Sequence, residues 1–236
     1  LATQGWEGWD ERQAPTLANS ALLAFIGGFM DGFTYVGHGH VFANAMTGNV
    51  VLLGVYGAAK SWQQSFRHLP PIITFIIGVS AARAMLLPRV RTVLRLPYVS
   101  IVLVEIFVVA IVCVLPNQTP DFWITTSIAF AASIQVETFR TVNGNSFNST
   151  FTTGNLRSLS EGLFDWIFQH NVDEARGKAR DFAVICLAFF LGAVCGGTTT
   201  SYLGNRAIGI DLALLVVLVI RLWPRLKSLD LTGHPQ

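Results

Sequence analysis

Charged side chains are what this sequence has least of: 13% of its 236 residues are Asp, Glu, Lys or Arg, against roughly 25% in water-soluble domains. So thin a supply cannot cover a folded surface facing water on all sides. Cysteine is scarce too, with Cys113, Cys186 and Cys195 each inside an apolar run and no CxxC spacing. That excludes a disulfide framework and a zinc site, and leaves the three as packing residues. The formal net charge is only +2, and no basic stripe interleaved with aromatics occurs. Nucleic acid is therefore not an expected partner. No cofactor-binding pattern is found, and no cofactor is expected.

What the chain has instead is length of apolar sequence, with 52% of its residues hydrophobic. Six segments, near 20–37, 70–88, 98–116, 122–140, 181–203 and 207–224, reach the roughly 18 to 20 residues that carry a helix across a bilayer. Two shorter stretches, 46–59 and 153–168, both open on Thr-Gly-Asn. Residues 1–19, with Trp6, Glu7, Trp9, Asp10, Glu11 and Arg12, match neither part of a signal peptide and read as a cytoplasmic lead-in.

Positive residues in short loops stay on the cytoplasmic side. Arg89, Arg91 and Arg95 follow the second segment, Arg176, Lys178 and Arg180 precede the fifth, and Arg221, Arg225 and Lys227 sit at the tail. The loop from Pro116 to Asp121 has no positive residue and belongs outside. Both termini are then cytoplasmic, including the tail 225–236. With six spans the two Thr-Gly-Asn stretches become re-entrant or broken half-helices, which a bilayer tolerates only around protein or a water-filled cavity. Eight ordinary spans is the competing count.

Self-similarity is the strongest pattern. Thr47-Gly48-Asn49 recurs as Thr153-Gly154-Asn155, an offset of 106 residues that also carries Asp31 onto Glu137, Phe33 onto Phe139 and Glu105 onto Asp211. Phe75-Ile-Ile-Gly78 recurs as Phe189-Phe-Leu-Gly192 at an offset of 114. The chain divides into one unit at 20–116 and a second at 122–224, each with three spans and one Thr-Gly-Asn half-helix. An odd number of crossings per unit makes the two inverted, the plan of many secondary transporters. The expected fold class is thus an all-α integral membrane protein with two inverted repeats.

The run Gly27-Gly28-Phe29-Met30-Asp31-Gly32, then Val41-Phe42-Ala43-Asn44-Ala45-Met46-Thr47-Gly48-Asn49, echoed by Gln135-Val136-Glu137-Thr138-Phe139-Arg140 and Thr152-Thr153-Gly154-Asn155, resembles the YoaK-type family of multi-pass membrane proteins. The likeness covers about residues 20 to 224. It implies about six spans and brings no assigned activity. Glu137 and Arg140 depart from the small polar residues common at those family positions.

Each candidate site residue has a functional and a structural reading. An acid at a helix centre costs roughly 2.5–3.5 kcal/mol to insert, so Asp31, Glu137 and Glu105 are candidate proton-coupling groups. Asp31 could equally accept backbone N–H bonds where the chain breaks. Glu137 could be neutralised by Arg140 on the same helical face. Glu105, alone in an apolar run, is expected to face the interior, whereas Asp211 could reach the interface. Arg83 could snorkel to cytoplasmic phosphates. Thr47, Gly48, Asn49, Thr153, Gly154 and Asn155 could hold an anionic substrate at two helix N-termini, glycine permitting the turn, or could merely cap those helices. His38 and His40 are too few for a closed metal site and suggest a solvent-facing or pore-mouth role.

The pattern points to a secondary transporter of a small molecule or anion, proton-coupled through the acids, whose partners are that substrate and the lipid bilayer. A homo-oligomer is compatible with it. The alternative is a membrane-embedded isomerase or cyclase that protonates a lipophilic substrate through Asp or Glu.

Overall fold

The computed structural model describes residues 16–85, 87, 90, 97–138, 141–142, 145–146, 152–169 and 172–232. Helix α1 (Leu17–Gly37) is followed by α2 (Met46–Ala58), α3 (Trp62–Arg67), α4 (Leu69–Met85), α5 (Pro97–Val114) and α6 (Asp121–Thr138). After a two-residue antiparallel ladder, Thr141–Val142 with Asn145–Ser146, come α7 (Thr152–Phe168), α8 (Val172–Leu203), a 3-10 turn (Gly204–Ala207) and α9 (Ile208–Thr232). That ladder is the departure from an all-helical chain among the described residues.

Local chemistry sets several ends. Pro97 opens α5 at the first helical position, where a missing N–H costs nothing. At its other end, Asn205 Nδ2 donates to the carbonyls of Leu115 (3.2 Å) and Pro116 (2.9 Å), giving partners to groups the ending helix leaves open. Asn117 Oδ1 accepts the Asn205 N–H at 2.9 Å in return. The turn that brings Asn205 there needs Gly204, at φ +57°, where a Cβ would strike the Asn117 side chain at 2.6 Å.

Three stretches are long and apolar enough to cross a membrane: Leu17–Gly37, Trp62–Met85 and Val172–Arg221. The last is 50 residues long and folds as α8 and α9 around the Gly204 break. Helix α1 is the most enclosed, with 61% of its apolar stretch buried against 22% in each of the others. Its closest neighbour is α8; α4 packs on α6, α5 on α9, and α7 on α8. Small residues let α1 and α8 approach, as expected where lipid supplies no hydrophobic drive between helices. A Cβ on Gly28 would collide with the Phe189 carbonyl, and one on Gly192 or Gly196 with the carbonyls of Phe25 or Phe29. Around this seam Phe29, Phe33, Ile124, Ile128, Phe182, Ile185 and Leu215 form the core. Outward faces carry exposed Ile76, Ile77, Phe107, Leu187, Phe190, Val217 and Ile220, surface suited to acyl chains rather than water.

Candidate functional site

The two Thr-Gly-Asn sequences, 106 residues apart, open α2 and α7 and come together in space. Thr47 from the first turn of α2 and Thr152 and Thr153 from the first turn of α7 line one cleft of about 430 Å³. Asp31 and Gly32 of α1 form its floor, with Tyr35, Phe42, Phe189 and Ala193 among the walls. Gly32 is what lets α8 form a wall, since a Cβ there would meet the Ala193 carbonyl and, at 2.8 Å, the Gly197 nitrogen. Tyr35 and Phe42 stack at 4.8 Å between ring centroids, an aromatic side to the opening.

Asp31 is 4% exposed, and its Oδ1 accepts the backbone N–H of Asn44 at 2.7 Å and of Ala45 at 3.3 Å. Asn44 in turn donates from Nδ2 to the Gly27 carbonyl at 3.0 Å. The segment before α2 is thereby fastened to α1, with the Asp31 carboxyl beside the N-terminal end of α2. Of the two readings of Asp31, the backbone-binding one is displayed directly, and the residue lines the cleft as well.

Asn49 is buried away from the cleft. Its Oδ1 accepts the Phe42 N–H at 3.0 Å and its Nδ2 donates to the Phe42 carbonyl at 2.7 Å, while His68 Nδ1 lies 3.2 Å from the same Oδ1. It pins the loop to α2 through the Phe42 backbone and caps no N–H of the helix. The glycines do not act as expected: Gly48 and Gly154 lie inside helices, and neither has positive φ. Gly48 instead clears the Phe42 ring, which a Cβ would meet at 2.8 Å, whereas Gly154 has nothing within 4 Å. Asn155 is buried, and Gly48, Gly154 and both asparagines are not among the cleft-lining residues.

The remaining acids sit elsewhere. Glu137, 6% exposed, accepts from Arg83 Nε at 2.8 Å, so Arg83 does not simply snorkel to lipid phosphates. Arg140, the partner expected for Glu137, lies outside the described residues. Glu105 on α5 faces the interior as expected, at 1% exposure. Asp211 on α9, expected near the interface, is fully buried, and the two carboxyls interact electrostatically. Glu105 Oε1 and both Asp211 oxygens have no hydrogen-bond partner among the described residues. His38 is not solvent-facing: it is 4% exposed, with Nδ1 at 3.2 Å from Asp121 Oδ1, while His40 is exposed at φ +59°.

Sequence reasoning missed Asn44, Tyr35 and Phe42. An asparagine two residues before a helix, inside the apolar run Val41-Phe-Ala-Asn-Ala-Met46, was the available signal for the first.

Comparison with known proteins fits this architecture. The family described as a protein of unknown function, DUF1275, matches residues 20–221. The UPF0700 transmembrane protein YoaK of Bacillus subtilis (strain 168) is 30% identical over 178 residues, covering 74% of this chain and 78% of that protein. No solved structure matches. A transmembrane relative and helices long and apolar enough to cross a bilayer make the chain an integral membrane protein. With the match running from residue 20 to 221, the chain belongs to the DUF1275 family of transmembrane proteins.

Proposed function

We propose that the protein is a secondary transporter of a small anion, with six spans arranged as two inverted units and a substrate site in the cleft between Thr47 and Thr153. The observation that carries this reading is the meeting of the two matched helix starts in one cavity. N-terminal turns carry a positive dipole end, and paired half-helices at a repeat interface form substrate sites in such carriers.

The packing supports the repeat. Exchanging the units turns α1 into α6, α2 into α7, α4 into α8 and α5 into α9. Under that exchange the contact of α1 with α8 becomes that of α6 with α4, and α2 with α4 becomes α7 with α8. The contact of α5 with α6 becomes α9 with α1, and α5 with α9 maps onto itself. All seven of these contacts are present. The spans in this reading are α1, α4, α5, α6, α8 and α9.

The test is flux into liposomes that enclose a pH-sensitive dye, across a panel of small organic anions. Wild type is expected to move at least one, and Thr47→Val and Thr153→Val each to weaken it by about 10- to 100-fold, the worth of one hydrogen bond to a charged group. No flux for any anion, with turnover of a lipophilic compound instead, would sink the transport reading and raise the enzyme one.

A further inference from the structure

A second cavity, of about 820 Å³, lies where α5 and α8 end and the turn into α9 begins, and shares no lining residue with the cleft of the Thr-Gly-Asn helices. Val114 and Asn117 line it from the α5 side, and Tyr202, Leu203 and Arg206 from the other. Its lining residues include one cation and no acid. Arg206 is exposed, and its guanidinium makes no ion pair among the described residues. The Asn117 Oδ1 accepts the Asn205 N–H at 2.9 Å, which fixes the orientation of that amide and leaves Nδ2 as its donor. The hydroxyl of Tyr202, a residue 83% exposed, is a further donor. The site is held in shape by the Gly204 turn, which Asn205 ties to the Leu115 and Pro116 carbonyls at the end of α5. A cation with two neutral donors, rigidly placed and unopposed by carboxylate, is complementary to an anion.

The cavity also opens onto an apolar track. Leu103, Phe107, Ile111 and Val114 are 49%, 65%, 43% and 79% exposed, and their spacings of three or four residues put them on one face of α5. From Leu103 to Val114 the helix rises about 16 Å, close to half of a hydrocarbon layer of roughly 30 Å. Exposed Tyr202, and Trp123 in the first turn of α6, are residues that collect at a membrane–water boundary. Arg206 thus stands at headgroup level, with one leaflet's depth of lipid-facing surface running from the cavity.

We propose that this cavity binds the phosphate of an anionic phospholipid, paired to Arg206 with Asn117 Nδ2 and the Tyr202 hydroxyl donating, while an acyl chain lies along Phe107 and Ile111. A free phosphate could use the same donors but has nothing to lay on the α5 track, whereas a lipid uses both. A zwitterionic lipid brings a cation of its own to a site that already holds one, so the anionic headgroup is preferred. The inference rests on α5 standing in the bilayer, part of the six-span reading, and does not depend on transport.

The probe is phosphatidylglycerol with a diazirine in one acyl chain, present at low mole fraction in phosphatidylcholine nanodiscs that hold the full chain; a matched phosphatidylcholine probe is run beside it. Labelling of Leu103 to Val114 is read by peptide mapping relative to labelling of Leu187 and Phe190, which face outward on α8. The anionic probe is expected to label α5 about tenfold more than the zwitterionic one, the worth of a charge-assisted contact. R206Q is expected to bring that ratio close to one and R206K to keep most of it, while the α8 label, internal to the same molecules, shows that the variants are folded and in lipid. Soluble glycerol phosphate is expected not to compete. Equal labelling by the two probes in wild type would mean unselective lipid contact, and a ratio unmoved by R206Q would put the selectivity elsewhere; either overturns the proposal. Displacement by glycerol phosphate would overturn the lipid in favour of a soluble anion. An α5 labelled by neither probe beside a labelled α8 would remove the six-span reading as well, whereas equal labelling of α5 by both leaves that reading intact and removes only this one.

Discussion

The two units of the proposed repeat differ where their matched acids sit. Asp31 in the first half is satisfied by the backbone ahead of α2, while Glu137 in the second is met by Arg83 of α4. The offset of 114 residues that carries Phe75 onto Phe189 carries Arg83 onto Gly197. The helix facing Asp31 therefore has glycine where the helix facing Glu137 has arginine. Gly197 stands against Gly32 and Val36 of α1. In the second half a long cation occupies the corresponding position and closes an ion pair. On the proposed repeat, the acid of one unit lines a cleft and the acid of the other closes an ion pair.

The glycine seam gives the largest test of this contrast. Gly192→Leu puts a side chain where the Phe25 backbone already lies, with no flexible neighbour to give way. Its expected cost is about 3 kcal/mol or more, enough to lose folded protein in membranes, read by detergent-extracted yield and thermal unfolding. Gly154→Ala, with open space around it, should be tolerated or gain about 0.5–1 kcal/mol from helix propensity. Equal tolerance at both positions would contradict the close approach of α1 and α8.

The acids come next. Asp31→Ala leaves the Asn44 and Ala45 amides without their acceptor, at about 1–3 kcal/mol for each buried donor left unpaired. Glu137→Gln keeps an acceptor opposite Arg83, whose side chain is 45% exposed and can reach polar surroundings, so about 1 kcal/mol or less is expected. Thermal unfolding of the two variants side by side measures the asymmetry. A larger loss for Glu137→Gln would reverse the assignment of which half is braced by backbone.

Much of this was legible in the sequence because apolar length and repetition are one-dimensional signals. The segments expected near 20–37, 70–88, 98–116 and 122–140 correspond to α1, α4, α5 and α6, and both Thr-Gly-Asn stretches open helices. Partner choice was not legible. Nothing in sequence spacing says that Glu137 meets Arg83, 54 residues away. Nor does a His-Gly-His sequence announce that one ring is buried against Asp121 and the other exposed. Those facts arise from which helices pack, and packing here follows small residues such as Gly28 and Gly192, whose role depends on what stands opposite.

The smallest effect separates the two short helices themselves. Helix α2 has no Asp, Glu, Lys, Arg or His, whereas α7 carries Arg157 and Glu161, and Glu161 binds Lys178 of α8 at 3.0 Å and Arg157 at 2.9 Å. Lys178 first and Arg157 second hold the Glu161 pKa below its ordinary value of 4.5. A carboxyl lowered in the folded state contributes stability above the unfolded value and loses it as pH falls through the folded one. Because the group is exposed, Lys178→Gln should move the unfolding midpoint by only about 1 °C at pH 7. Hydrogen exchange resolves it better: α7 amides in that variant at neutral pH should exchange as wild type does below the lowered pKa, while α2 amides stay unchanged at either pH. Acid sensitivity that appeared in α2 as well would mean that the two helix starts yield together, and the contrast between an apolar and a charge-braced half would fail at its most local point.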